Sequence, residues 1–147
     1  MDKPSTFASP PTPRRYCAPS SPAERREFVP FMHLLIGAAF GVIRPLFLSG
    51  VTVSAKADAT PVTAADRGAE AAMRQEIERR YPQHGIVGEE HGTLDGDSRY
   101  SWIIDPIDGT RAFISGMPTW GILLGLRYGA RCVGGLVHQP YLQETFT

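Results

Sequence analysis

The apolar run Trp102-Ile103-Ile104 halts at Asp105-Pro106, and no other feature so narrows what this chain can build. Aromatic and β-branched residues in succession read as a buried strand. Proline has no N–H to give a ladder, so the sequence predicts that the sheet ends there, with Asp105 at the strand's carboxyl end. Asp108 follows three residues on, and Gly109-Thr110 then opens a short helical turn. Two carboxylates on a rigid turn make a hard-oxygen site suited to Mg²⁺, which is held by one or two carboxylates plus substrate phosphate. Amides at the start of a helix seat a phosphate. Metal and phosphate ligands on one loop point to metal-assisted phosphoryl transfer. The same letters are also ordinary turn chemistry, with Asx side chains bonding local backbone and glycine taking an unusual φ.

Two further stretches bear on that choice. Thr63 precedes a helical pattern in which Ala69, Met73, Ile77 and Tyr81 share one face, ended by Pro82. Asp66 stands three residues after Thr63, which also fits a capping box. Glu70, Arg74, Glu76, Glu78 and Arg80 read as a solvated face. Farther on, the short strand Ile86-Val87-Gly88 runs into Glu89-Glu90. If it neighbours the Trp102 strand, Glu90 and Asp105 leave the sheet at the same end. Glu90, Asp105 and Asp108 would then share one pocket, whereas a merely charged loop would explain the two glutamates alone.

Around these lie the scaffold elements. Glu24–Ser49 reads as a first helix, with Phe28, Met32, Leu35, Ala39 and Ile43 at spacings of three or four. Pro45 is expected to kink its last turn, and Gly50 to end it. Gly121–Arg127 and Cys132–His138 form an apparent hairpin about Tyr128-Gly129-Ala130-Arg131, and a third strand begins at Glu144. Such continuous apolar strands want cover on both faces. Residues 1–23 are read as a disordered Pro/Ser-rich extension, unable to bury enough apolar surface to order itself.

Composition closes off several classes. Fifteen basic and fifteen acidic residues cancel, so no global charge argues for nucleic acid. Cys17 and Cys132 belong to no Cys-x-x-Cys pattern and read as reduced thiols. His33, His84, His91 and His138 lack zinc-ligand spacing. The stretch Phe31–Ile43 is cut by Arg44-Pro45, short of the ~20 apolar residues a membrane span requires. Arg25-Arg26 ahead of it faintly resembles an export signal, but the fold needs this helix, so a cytoplasmic protein with no membrane partner is expected.

Taken together, Pro61-Val62-Thr63-Ala64-Ala65-Asp66, Gly88-Glu89-Glu90 and Trp102-Ile103-Ile104-Asp105-Pro106-Ile107-Asp108-Gly109-Thr110 resemble the inositol monophosphatase superfamily of Mg²⁺-dependent sugar phosphatases. Order and spacing agree from about Phe28 to the C-terminus. The resemblance implies a layered α/β fold (α+β layered), with two N-terminal helices on a mixed, largely antiparallel sheet. It also implies that Glu90, Asp105 and the Ile107 carbonyl hold one metal, that Asp105 and Asp108 hold a second, and that Asp108, Gly109 and Thr110 bind the phosphate. Asp66 and the Thr110 hydroxyl correspond to the pair that orients the attacking water. Catalysis is thus assigned to Asp66, Thr110 and Glu90. Lys56 falls on the family's mobile loop.

Arg111-Ala112-Phe113-Ile114-Ser115-Gly116-Met117-Pro118-Thr119-Trp120-Gly121 is similar to the histidinol-phosphate phosphatases of that superfamily, so histidinol phosphate is the preferred small phosphorylated substrate, ahead of inositol 1-phosphate. Family members usually form homodimers. Their chains continue beyond the point matching Thr147 to a Trp-Asp-x-Ala-Gly motif whose Asp completes the second metal site; no such motif occurs here. The expectation is an N-terminal portion, residues 24–147, of a phosphatase domain. The rival expectation is a metal- or phosphate-binding scaffold without turnover.

Overall fold

Residues 20–49, 53–55 and 61–147 are described by the computed structural model. The expectations for residues 1–19 and for Lys56 lie outside the described residues. In chain order the elements are α1 (Pro22–Ile43), β1 (Val53–Ala55), β2 (Pro61–Thr63), α2 (Ala64–Arg80), β3 (Gly85–Gly88), β4 (Gly92–Leu94), β5 (Tyr100–Asp108), α3 (Thr110–Ile114), β6 (Gly121–Tyr128), β7 (Arg131–Gln139) and β8 (Glu144–Phe146).

Helix α1 begins earlier than its periodicity suggests, because Ser21 and Glu24 close a capping box around Pro22 at the first position. Pro22 and Ala23 therefore belong to the helix and not to the extension. It also ends earlier, at Ile43 rather than Ser49. Pro45 has no N–H to continue the ladder, and the Ile43 carbonyl is taken instead by the amides of Leu46 and Phe47 (2.9 and 3.0 Å). The expected stripe of Phe28, Met32, Leu35, Ala39 and Ile43 is buried. By length and composition α1 is apolar enough to cross a membrane, but here that stripe packs on α2 and the sheet.

The main sheet runs β4-β3-β5-β6-β7-β8, and only the β3–β5 pair is parallel. The mixed, largely antiparallel sheet with two helices on it is thus present, as is the hairpin of β6 and β7. A separate antiparallel pair, β1–β2, precedes α2. The helices cover one face of the sheet, burying Trp102, Ile104, Ile122, Leu124, Leu126, Val133 and Leu136. Alternation turns Ile103, Val137 and Phe146 to the other face, where they are 44%, 44% and 60% exposed.

Contrary to expectation, β5 does not stop at Pro106. It pairs on to Asp108 through a bulge: Asp105 faces Leu123 and Asp108 faces Gly121, so three steps on β5 match two on β6. A residue lacking an N–H is tolerated inside a sheet at such a bulge.

Trp102 is fully buried amid Phe28, Phe31, Tyr81 and His84, and its Nε1–H donates to His84 Nδ1 at 3.1 Å. Burial pushes the His84 imidazole below its usual range, which keeps that nitrogen an acceptor. At the other end of the cluster Glu24 joins α1 to Arg131 of β7. The Arg131 hydrogen bond, followed by the Ser21 amide, lowers the Glu24 carboxyl from 4.5 to about 2. A carboxyl depressed in the folded state stabilises it fully above its unfolded pKa and loses that contribution as the pH falls toward the folded value. Wild type should therefore melt above Glu24→Gln at pH 6 to 7, and thermal scans should show the gap closing as the pH drops from 4.5 toward 2. A pH-independent gap would discount the ion pair.

Candidate active site

Because β3 and β5 are parallel, their carboxyl ends lie together. Gly88 sits opposite Ile104, so the next step brings Glu89 level with Asp105. The two side chains interact. Burial first, then the charge and hydrogen bond of Glu89, then the charge of Asp108, raise the Asp105 carboxyl from 3.8 to about 7. Within the bulge the Ile107 amide donates to Asp105 Oδ1 at 3.2 Å, holding that carboxylate against its own turn.

The start of α2 supplies the second half of the site. Asp66 is 2% exposed and divides its two oxygens. Oδ2 accepts from the Thr63 amide and hydroxyl at 2.8 and 2.5 Å, completing the capping box. Oδ1 faces Thr110, whose Oγ1 lies 3.2 Å away and 3.3 Å from the Ile107 carbonyl oxygen. The single hydroxyl proton is shared between these two acceptors. Asp66 thus caps α2 with one oxygen and meets Thr110 with the other.

Gly109 precedes α3 with φ 92°, a left-handed conformation that glycine takes without strain. A Cβ there would also stand 3.1 Å from the Thr119 carbonyl. Asp108, Gly109 and Thr110 thus form one tight corner, with an open cleft beside Asp108 lined by Trp120, Gln139 and Tyr141.

One expectation shifts: the glutamate that acts on Asp105, beside Asp108, is Glu89 rather than Glu90, and among the described residues no three His, Cys, Asp or Glu side chains make a ready metal cage. Register is the reason: Glu89 is level with Asp105, whereas Glu90 lies one step on in a turn whose amide is bonded to Glu70 Oε2 (2.6 Å). Parity along a strand that reaches Gly88 would have pointed to Glu89. Glu70, expected on a solvated face, is fully buried. The surrounding donors are all oxygen: Glu89, Asp105, Asp108 and the Ile107 carbonyl. That chemistry, with negative charge crowded around Asp105, fits a hard divalent cation.

A model of the Inositol monophosphatase family matches residues 25–147. A chloroplastic bifunctional phosphatase IMPL2 of Arabidopsis thaliana is 40% identical over 126 residues, covering 84% of this chain and 36% of that one. A histidinol-phosphatase of Chlorobaculum parvum is 43% identical over 94 residues, covering 64% and 36%. A solved inositol monophosphatase of Zymomonas mobilis superposes with a TM-score of 0.67 at 44% identity, covering 82% of this chain and 46% of its own. The chain spans a little over a third of the length of these curated relatives.

Proposed function

We propose, on the premise that the chain belongs to the inositol monophosphatase family, that its cluster of acids serves the hydrolysis of a small phosphate monoester. The observation that carries this reading is the hydrogen bond between Thr110 and buried Asp66, with the same hydroxyl also bonded to the carbonyl of Ile107 in the bulge that follows Asp105. In this reading Asp66 Oδ1 accepts the Thr110 O–H hydrogen bond, which leaves the hydroxyl oxygen's lone pairs to accept a hydrogen bond from a water and to orient it. Asp66 is held for that task because its other oxygen is fixed by Thr63. Gly109 lets the backbone approach the phosphate without a side chain in the way. Glu89, Asp105, Asp108 and the Ile107 carbonyl would hold Mg²⁺, which supplies Lewis-acid charge and lowers the pKa of a water from 15.7 toward ~7.

Histidinol phosphate is the preferred substrate, supported by the Arg111–Gly121 pattern and by the name of the Chlorobaculum parvum relative. Inositol 1-phosphate is the second reading, supported by the 44% identity to the Zymomonas mobilis enzyme. Phosphate release from both esters, with and without Mg²⁺, tests the proposal. Mg²⁺-dependent release, faster from histidinol phosphate, is the expected result. Mg²⁺ binding with no release from either ester would favour the scaffold reading.

A further inference from the structure

Glu70 is fully buried. Its Oε2 accepts from the Glu90 amide at 2.6 Å. Oε1 accepts from the His91 amide at 3.0 Å and from Arg74 Nε at 2.8 Å, with His91 Nδ1 3.3 Å away. Arg74 in turn donates to the Gly92 carbonyl. Gly88 lies so close that a Cβ there would stand 2.0 Å from Glu70 Oε1. The turn from Gly88 to Gly92 is therefore gripped from α2 at Gly88, Glu90, His91 and Gly92, while the remaining member, Glu89, faces Asp105. A buried carboxylate is costly, and apolar packing would close α2 on the sheet without that cost. What a carboxylate adds is two oxygens that fix two consecutive amides.

We propose that Glu70 is a positioning residue, clamping the 88–92 turn so that Glu89 is presented to Asp105 for capture of a divalent cation. The inference rests on the phosphatase reading of the site. Outer partners of metal ligands set affinity through orientation, and losing one costs about 10- to 100-fold. Linkage makes the effect reciprocal: if an ordered turn favours the cation, the cation must order the turn.

The test is Mn²⁺ titration of the full chain by paramagnetic resonance, with circular dichroism to establish folding. Glu70→Gln should weaken Mn²⁺ binding about 10- to 100-fold while remaining folded. Ile77→Val, on the same helix, should lower the melting temperature and leave Mn²⁺ binding unchanged. Asp105→Asn reports on the site itself. If Asp105→Asn weakens binding and Glu70→Gln does not, the clamp is wrong and the site reading stands. If neither changes binding, both are wrong. Should Glu70→Gln fail to fold, amide exchange in the wild type decides: saturating Mg²⁺ should slow exchange at Glu90 and His91, and unchanged rates would overturn the clamp.

Discussion

Asp105→Asn is expected to abolish Mg²⁺-dependent phosphate release and to weaken Mn²⁺ binding more than about a hundredfold, beyond the 10- to 100-fold that losing an outer partner costs. The residue meets both Glu89 and the Asp108 corner, so no neighbour can take its place. Without divalent cations the same substitution should not lower the melting temperature. Burial, Glu89 and Asp108 already disfavour the Asp105 carboxylate, holding its pKa near 7. A neutral amide of the same shape removes that repulsion. Loss of binding in a fold at least as stable is the signature of a ligand. A variant that keeps both Mn²⁺ affinity and turnover would remove Asp105 from the site. Asp66→Asn should be milder in binding, since Asp66 faces Thr63 and Thr110 and lies outside the proposed cation ligands.

Trp102→Ala is expected to cost about 3–5 kcal/mol, the range for deleting a buried aromatic. Such a loss takes up much of the roughly 5–15 kcal/mol that holds an ordinary domain together. Trp102 is where α1, α2 and the sheet meet, packed by Phe28, Phe31 and Tyr81. It also satisfies His84 Nδ1. Urea unfolding should show a large fall in midpoint, whereas Trp102→Phe should keep most of the packing and lose chiefly the His84 bond, about 1 kcal/mol. Equal effects from the two variants would shift the weight from ring packing to that one hydrogen bond.

What the sequence made legible was local. The Phe28-Met32-Leu35-Ala39-Ile43 stripe, the Thr63 cap and the β6–β7 hairpin each carry their signal within a few residues, and each is present. The neighbouring of β3 and β5 entered as a condition under which the acids at both strand ends would gather, and it is present. What failed depends on register and on contacts distant in sequence. Choosing Glu89 over Glu90 requires knowing that Gly88 pairs with Ile104. Glu70 resembles any helix-surface acid until the 88–92 turn, some twenty residues later, folds onto it. Pro106 signalled a strand end, and only the partner strand shows that the ladder resumes.

The extra residue that β5 accommodates between Asp105 and Asp108 has a genetic corollary. Deleting a single codon there would give β5 and β6 equal counts, but it would remove Pro106 or Ile107, both of them buried. The Thr110 hydroxyl, which bonds both Asp66 and the Ile107 carbonyl, would lose that placement as well. The bulge therefore ties the acidic corner to the layer beneath the helices, and a deletion between the two aspartates disturbs both at once.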